Sequence, residues 1–295
     1  MGLILAILTS FFSTAQNTAV KKSAINTDVF LVAWSIGAFS LVVILPVFAA
    51  LIFWQGMPEF TKDFWLSLIY KTPLMITAYL CYVKAHKHGD LSLISPLLAL
   101  TPVVILFIAP FIINQRASVG GAFGVVLIVV GAYFLNFSSY KEGLWEPIRK
   151  LFHDKGTKYM ILTASIWGVT SIIDAVGVKG VKGSSLQAGV SWAFFTSLAL
   201  VFVLTPFIIR KIRMIFEKTE RKNFFMSGAF MGVAEICQMT AMTMLLAAYV
   251  NAIKRFSMVF GVIVGAVLFK EKDIQSRLAG ALIMLAGVIL IIFSV

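Results

Sequence analysis

Charged side chains are scarce in this chain. Asp, Glu, Lys and Arg make up 13% of its 295 residues, about half the ~25% typical of a soluble domain. With 60% hydrophobic residues and a mean hydropathy of +0.95, that scarcity excludes an ordinary soluble protein. Cysteine is nearly absent. Cys81 and Cys237 lie inside apolar sequence with no CxxC and no His-rich neighbourhood, so they read as buried thiols, not as a disulfide or metal framework. Histidine occurs three times. His86 and His88 flank Lys87 near Asp90, but no second ligand cluster accompanies them, and neither a metal nor another cofactor is expected. The chain lacks a Walker A phosphate loop, an HExxH helix and a GxSxG elbow, so no catalytic residues are assigned and ATP drive within the chain is not expected. No basic region precedes the first apolar run. Lys21 and Lys22 follow it, and the run therefore reads as a retained span, not a cleaved leader.

What remains is apolar sequence in long runs. A membrane-spanning helix needs about 20 residues at 1.5 Å rise, and ten runs approach or exceed that length. They cover about 2–20, 29–54, 63–83, 90–113, 118–137, 157–178, 184–209, 223–246, 248–269 and 275–294. An all-α polytopic membrane protein follows. The net charge of +12 sits in short loops beside these runs, so membrane topology accounts for it and no nucleic-acid partner is expected. Membrane lipid is the surrounding partner.

The second half of the chain repeats the first. A shift of 156 positions lays Ala78, Cys81 and Ala85 on Ala234, Cys237 and Ala241, and Gly124 and Gly131 on Gly280 and Gly287. With small local insertions Pro46 falls on Pro206 and Lys21 on Lys179. Five spans per half, an odd number, force the halves into opposite orientations. The expected units are residues 1–139, a bridge at 140–156 and residues 157–295. In the bridge, Leu144, Trp145, Ile148, Leu151 and Phe152 fall on one helical face amid Lys150 and Lys155, the pattern of a helix lying on headgroups. Gly120-x-x-x-Gly124 and Gly261-x-x-x-Gly265 suit close helix packing, within a monomer or in a weak homodimer. Loops after odd-numbered spans hold 18 Lys and Arg and the others hold four. The positive-inside rule then places both termini outside the cytoplasm.

Polar groups inside spans mark the candidate site. Lys254 and Arg255 stand side by side in the ninth run. A charge in hydrocarbon costs about 2.5–3.5 kcal/mol on insertion scales, so the pair needs a partner, water or a ligand, and two fixed cations favour an anion. Asn251 lies one turn before them. Glu235 lies near the middle of the eighth run with Gln238 one turn on, and Asp174 lies near the end of the sixth. Glu235 and Asp174 are the candidates for proton coupling or for a structural counter-ion to the pair. Gln16 and Asn17 occupy the first-half positions that Asp174 occupies in the second. Trp167 and Trp192, with Tyr82, Tyr79 and Tyr249, are candidates for cavity walls. Lys71 and Lys84 read as side chains snorkelling to the headgroups.

Ten spans in two inverted halves, with the stretches DLSLISPLLALTPVVILFIAPFI (90–112) and AYVNAIKRFSMVFGVIVGAVLFKE (248–271), resemble the EamA-type permeases of the drug/metabolite transporter superfamily. The resemblance covers the whole chain. Glu271 closes the ninth span as in that family, whereas Gln115 replaces the usual Glu in the first half. Many members are assigned cytoplasmic termini, opposite to the loop count here. Lys254-Arg255 is also similar to the pair with which plastid triose-phosphate translocators grip a phosphate, and the pair alone carries over. The resemblance implies a secondary transporter in a bacterial or archaeal plasma membrane, moving a small polar or anionic metabolite by alternating access, driven by protons or by exchange. Lys254, Arg255, Asn251, Gln238, Tyr82, Trp167 and Trp192 are the expected substrate contacts. A flippase for lipids or lipid-linked sugars on the same fold is the alternative, ahead of a membrane-embedded enzyme.

Overall fold

In lipid every backbone N–H and C=O must find a partner within the chain, and these apolar runs satisfy the demand as helices. The computed structural model describes residues 1–24, 27–88, 95–137, 155–211, 218–260 and 274–294. Among these, ten α-helices follow one another. They are α1 (Gly2–Ala24), α2 (Val29–Gln55), α3 (Lys62–His88), α4 (Leu100–Ile112), α5 (Val119–Phe137), α6 (Lys155–Lys179), α7 (Ser185–Ile208), α8 (Lys218–Met242), α9 (Ala247–Lys254) and α10 (Ile274–Ile292). A 3₁₀ turn at Ser95–Ala99 leads into α4. α1, α2, α3, α6 and α7 are each long and apolar enough to cross a membrane. Bridge residues 140–154, Gly261, Gly265 and Glu271 lie outside the described residues.

Local chemistry sets several ends. Asp28 opens α2 by accepting from the backbone N–H groups of Phe30 and Leu31, and Ser184 opens α7 by accepting from Gln187 N–H, each filling orphan donors of a first turn. Large apolar side chains point outward to the bilayer, with Phe53, Phe111 and Phe293 each more than 80% exposed. Beyond α2, two short strands, β1 (Glu59–Phe60) and β2 (Val181–Lys182), pair antiparallel and tie the loop after α2 to the loop before α7. Lys182 and Glu59 add an exposed ion pair at 2.8 Å. At the other end of the same two helices, Lys211 pairs with Asp28 at 2.6 Å.

The packing pattern is two-fold. α1 lies against α8 as α3 lies against α6, the 3₁₀ turn touches α6 as α9 touches α1, and α2–α7 and α5–α10 are pairs of equivalent helices. The α5–α10 contact fixes the sense of the repeat. A Cβ on Gly124 would lie 2.7 Å from Gly287 O, and one on Gly131 would lie 2.7 Å from Gly280 O. Position 124 thus faces 287 while 131 faces 280, so the helices run antiparallel, and the 156-residue shift converts one contact into the other. Only glycine permits that approach. The chain is therefore a polytopic membrane protein of ten helices in two inverted five-helix repeats.

Candidate functional site

A buried cavity of ≈ 80 Å³ opens where the halves meet, lined from α1, α3, the 3₁₀ turn, α6, α8, α9 and the turn that follows α9. Its lining comes in repeat-related pairs. Met75 and Met231, Tyr79 and Glu235, Tyr82 and Gln238, and Leu98 and Lys254 each differ by the 156-residue shift, and all line it. So do Ser13 with Ser171 and Gln16 with Asp174, where the local shift is 158. The pairs match in place but not in chemistry. Asp174, Glu235, Lys254 and Arg255 come from the second half, and of the ionised groups only Lys71 comes from the first.

α9 is short because its hydrogen-bond ladder changes at the cavity. After Lys254 the backbone switches to tighter bonds, Arg255 N–H to Ala252 O, Phe256 N–H to Ile253 O and Met258 N–H to Arg255 O, at 2.9–3.0 Å. The equivalent stretch of the first half is the 3₁₀ turn before α4. Irregular backbone at membrane depth needs other donors and acceptors, and α1 supplies them. Ser10 Oγ donates to Ile253 O at 2.8 Å and Thr14 Oγ1 donates to Ser257 O at 2.9 Å. Two adjacent cations thus sit at the C-terminal end of a broken helix, where the backbone dipole favours positive charge.

The charges are unevenly satisfied. Lys71 Nζ lies 2.5 Å from Asp174 Oδ1. Trp192 Nε1 donates to that same oxygen at 2.6 Å, and its ring lies beside the Lys71 ammonium, 5.4 Å from the centroid. Lys254 Nζ donates to Gln238 Oε1 at 2.7 Å. Glu235 accepts from Ser197 Oγ at 3.2 Å, which in turn accepts from Ser40 Oγ at 3.1 Å. Arg255 is 5% exposed, and among the described residues neither its Nε nor Ser13 Oγ in the same cavity has a hydrogen-bond partner. Among the described residues Lys254, Arg255 and Glu235 form no ion pair. Aromatic side chains also line the cavity. Trp167 packs on Tyr82 and Tyr79 at 5.1 and 6.1 Å, and Tyr82 donates to Asn17 Oδ1 at 2.9 Å. Asn251 accepts from Ser171 at 3.4 Å and donates to Ala247 O at 3.0 Å.

The model of the EamA-like transporter family matches twice, over residues 1–137 and 154–293. The chain belongs to the EamA-like transporter family. This EamA-like transporter is 23% identical to an uncharacterized transporter of Archaeoglobus fulgidus, over 99% of its own length and 96% of that protein's. A solved crystal structure with 13% identity superposes with a TM-score of 0.74, covering 99% of this chain and 98% of the other, which shows the shared fold.

Within the transporter, Lys254, Arg255, Asn251, Gln238, Tyr82, Trp167, Glu235 and Asp174 all line the one cavity. Trp192 does not. It is fully buried behind Asp174, in contact with Phe64 and Gly177, and reaches the site only through the carboxylate it holds. The expectation for Lys71 also changes. It does not snorkel but is 4% exposed, because Asp174 on α6 supplies its counter-charge. That takes Asp174 away from Lys254 and Arg255. Lys84 does stay exposed, beside the Tyr159 ring. The signal for Lys71 was present in sequence as a lysine inside an apolar run, but its partner lies on another helix.

Proposed function

We propose that this transporter moves a small metabolite carrying a carboxylate or phosphate group, by alternating access at the central cavity. One observation carries the reading. The Arg255 guanidinium is buried in a polar cavity with its Nε unpaired, and a buried charged donor without a partner calls for water or a ligand. Lys254 beside it adds a second cation, and Asp174 is committed to Lys71. The planar fork of Arg255 grips two oxygens of the anion. Gln238, Asn251, Tyr82 and Trp167 complete the pocket, while Trp192 acts behind it.

Glu235 is the coupling carboxylate in this reading. Its place on the cavity wall, with a single hydroxyl donor and no ion-pair partner among the described residues, suits a group that trades a proton as the substrate anion arrives. The protein works as a monomer or weak homodimer in a bacterial or archaeal plasma membrane. Both termini lie outside, on the 18-to-4 distribution of loop cations. Labelling of a cysteine added after Val295 by an impermeant reagent on intact cells checks that orientation. The test of transport is uptake and counterflow in proteoliposomes with a panel of carboxylates and phosphate monoesters. At least one should be trans-stimulated in the parent and not in Arg255→Ala. Movement of fluorescent lipid with no soluble anion transported would replace this reading with a flippase.

A further inference from the structure

A second, larger pocket of ≈ 350 Å³ opens on the face that carries the α6–α7 and α8–α9 connections. It is lined by Gln115, Arg116, Ser118 and Lys179 on one side and by the Met242–Leu246 turn and Tyr249 on the other, with Ser294 at its edge. None of these side chains is acidic. Only four Lys and Arg occur in the loops of this face, and two of them, Arg116 and Lys179, line this one pocket. A third, Lys182, is engaged with Glu59. Arg116 and Lys179 are exposed and form no ion pair among the described residues.

α9 stands between this pocket and the central cavity. Leu246 and Tyr249 line the pocket, and Asn251, Lys254 and Arg255 line the cavity, on opposite faces of an eight-residue helix about 12 Å long. Tyr249 is buried in the pocket wall. Its hydroxyl accepts from Ser118 N–H at 3.1 Å, and its ring packs on Gly121 where no Cβ would fit. The sequence repeat puts Lys272 and Lys21 at the positions equivalent to Arg116 and Lys179.

We propose that Arg116 and Lys179 form an entry site for anions, which concentrates the transported anion at this mouth of the bundle before it reaches Arg255. The inference rests on the anion-transport reading. A pocket walled by low-dielectric protein and lined by one sign of charge focuses the field and concentrates counter-ions, raising encounter rates about 10- to 1,000-fold.

The test places a single reactive cysteine in the pocket by Thr243→Cys, with Cys81→Ser and Cys237→Ser in the background. Labelling rates are compared for anionic sulfonatoethyl methanethiosulfonate and its cationic trimethylammonioethyl analogue. Arg116→Gln/Lys179→Gln should lower the anion-to-cation rate ratio about tenfold, and the difference should vanish near 1 M salt, where the Debye length is about 3 Å. Lys179→Gln alone should give a smaller shift in the same direction. Millimolar inorganic phosphate or acetate should slow anionic labelling of the parent, not of the double variant, and should still do so in Arg255→Ala. That persistence separates this site from the central one, whose own failure appears as unchanged transport in Arg255→Ala. An unchanged rate ratio in the double variant, or no protection of the parent by either anion, overturns the entry site.

Discussion

Lys71 and Asp174 form a buried ion pair across the repeat interface, their side chains 5% and 6% exposed. Removing one member leaves the other charge stranded, a loss of about 3–5 kcal/mol, whereas replacing both by neutral groups is often close to neutral. Lys71→Met and Asp174→Asn should each lower the melting temperature and the monodisperse yield, and the double variant should recover most of both. Fluorescence-detected size exclusion on heated samples reads this directly. Double-variant stability no better than that of the singles would show that the pair is not a closed unit.

Arg255 and Lys254 are adjacent but differently placed, one with an unpaired Nε and the other bonded to Gln238. Substitution should therefore hurt unequally. Arg255→Lys keeps the charge and loses the fork, and should weaken anion affinity about tenfold or more, the worth of a charge-assisted bond of about 1.5–3 kcal/mol. Lys254→Arg should cost less. Equilibrium binding to detergent-purified protein, with esterified substrate as control, gives the comparison. Equal losses would mean that charge alone matters.

Glu235→Gln keeps the Ser197 bond and removes the ionisable group. Uptake driven by a pH gradient should disappear in this variant while substrate exchange persists. Full gradient-driven uptake in Glu235→Gln would take the coupling role away from this residue.

Asp28 lies outside the spans, capping α2 and pairing with Lys211. Partial burial pushes its pKa up, but the Lys211 bond and charge and the Leu31 and Phe30 N–H groups outweigh it and hold it below 3.8. A depressed folded value means that its contribution to stability is complete above the unfolded pKa and fades as pH falls through the folded one. Melting temperature should thus be insensitive to this group between pH 6 and 8. Asp28→Ala should cost about 0.5–2 kcal/mol through the lost cap, at neutral pH and less so as Asp28 becomes protonated in acid. Melting curves of the parent and Asp28→Ala from pH 7 downward would reveal any other dependence.

The apolar runs announced nearly every helix, because hydrocarbon leaves an isolated segment one way to satisfy its backbone. Gly124 and Gly131 announced the inverted repeat for a related reason, since a close antiparallel contact demands glycine on both sides. The polar residues that line the cavity were legible singly, as costly intrusions into apolar sequence. Their pairing was not. Lys71 with Asp174, and Trp192 behind both, depend on how α3, α6 and α7 meet, which no periodicity within one helix records. The break after Lys254 was also silent. No Gly or Pro lies between Ala247 and Val259, and the helix yields there because Ser10 and Thr14 of another helix take over its carbonyls.

The contact of Gly124 with Gly287, and of Gly131 with Gly280, is isologous, the kind a protein makes with a second copy of itself. Each half presents the same patch that it receives. A five-helix half therefore carries its own complement, and the seam through this protein is in form a homodimer interface between fused subunits. Subunits held together by such a seam were free to specialise elsewhere. One became a scaffold of hydroxyls, amides and aromatic rings, and the other took on most of the charge.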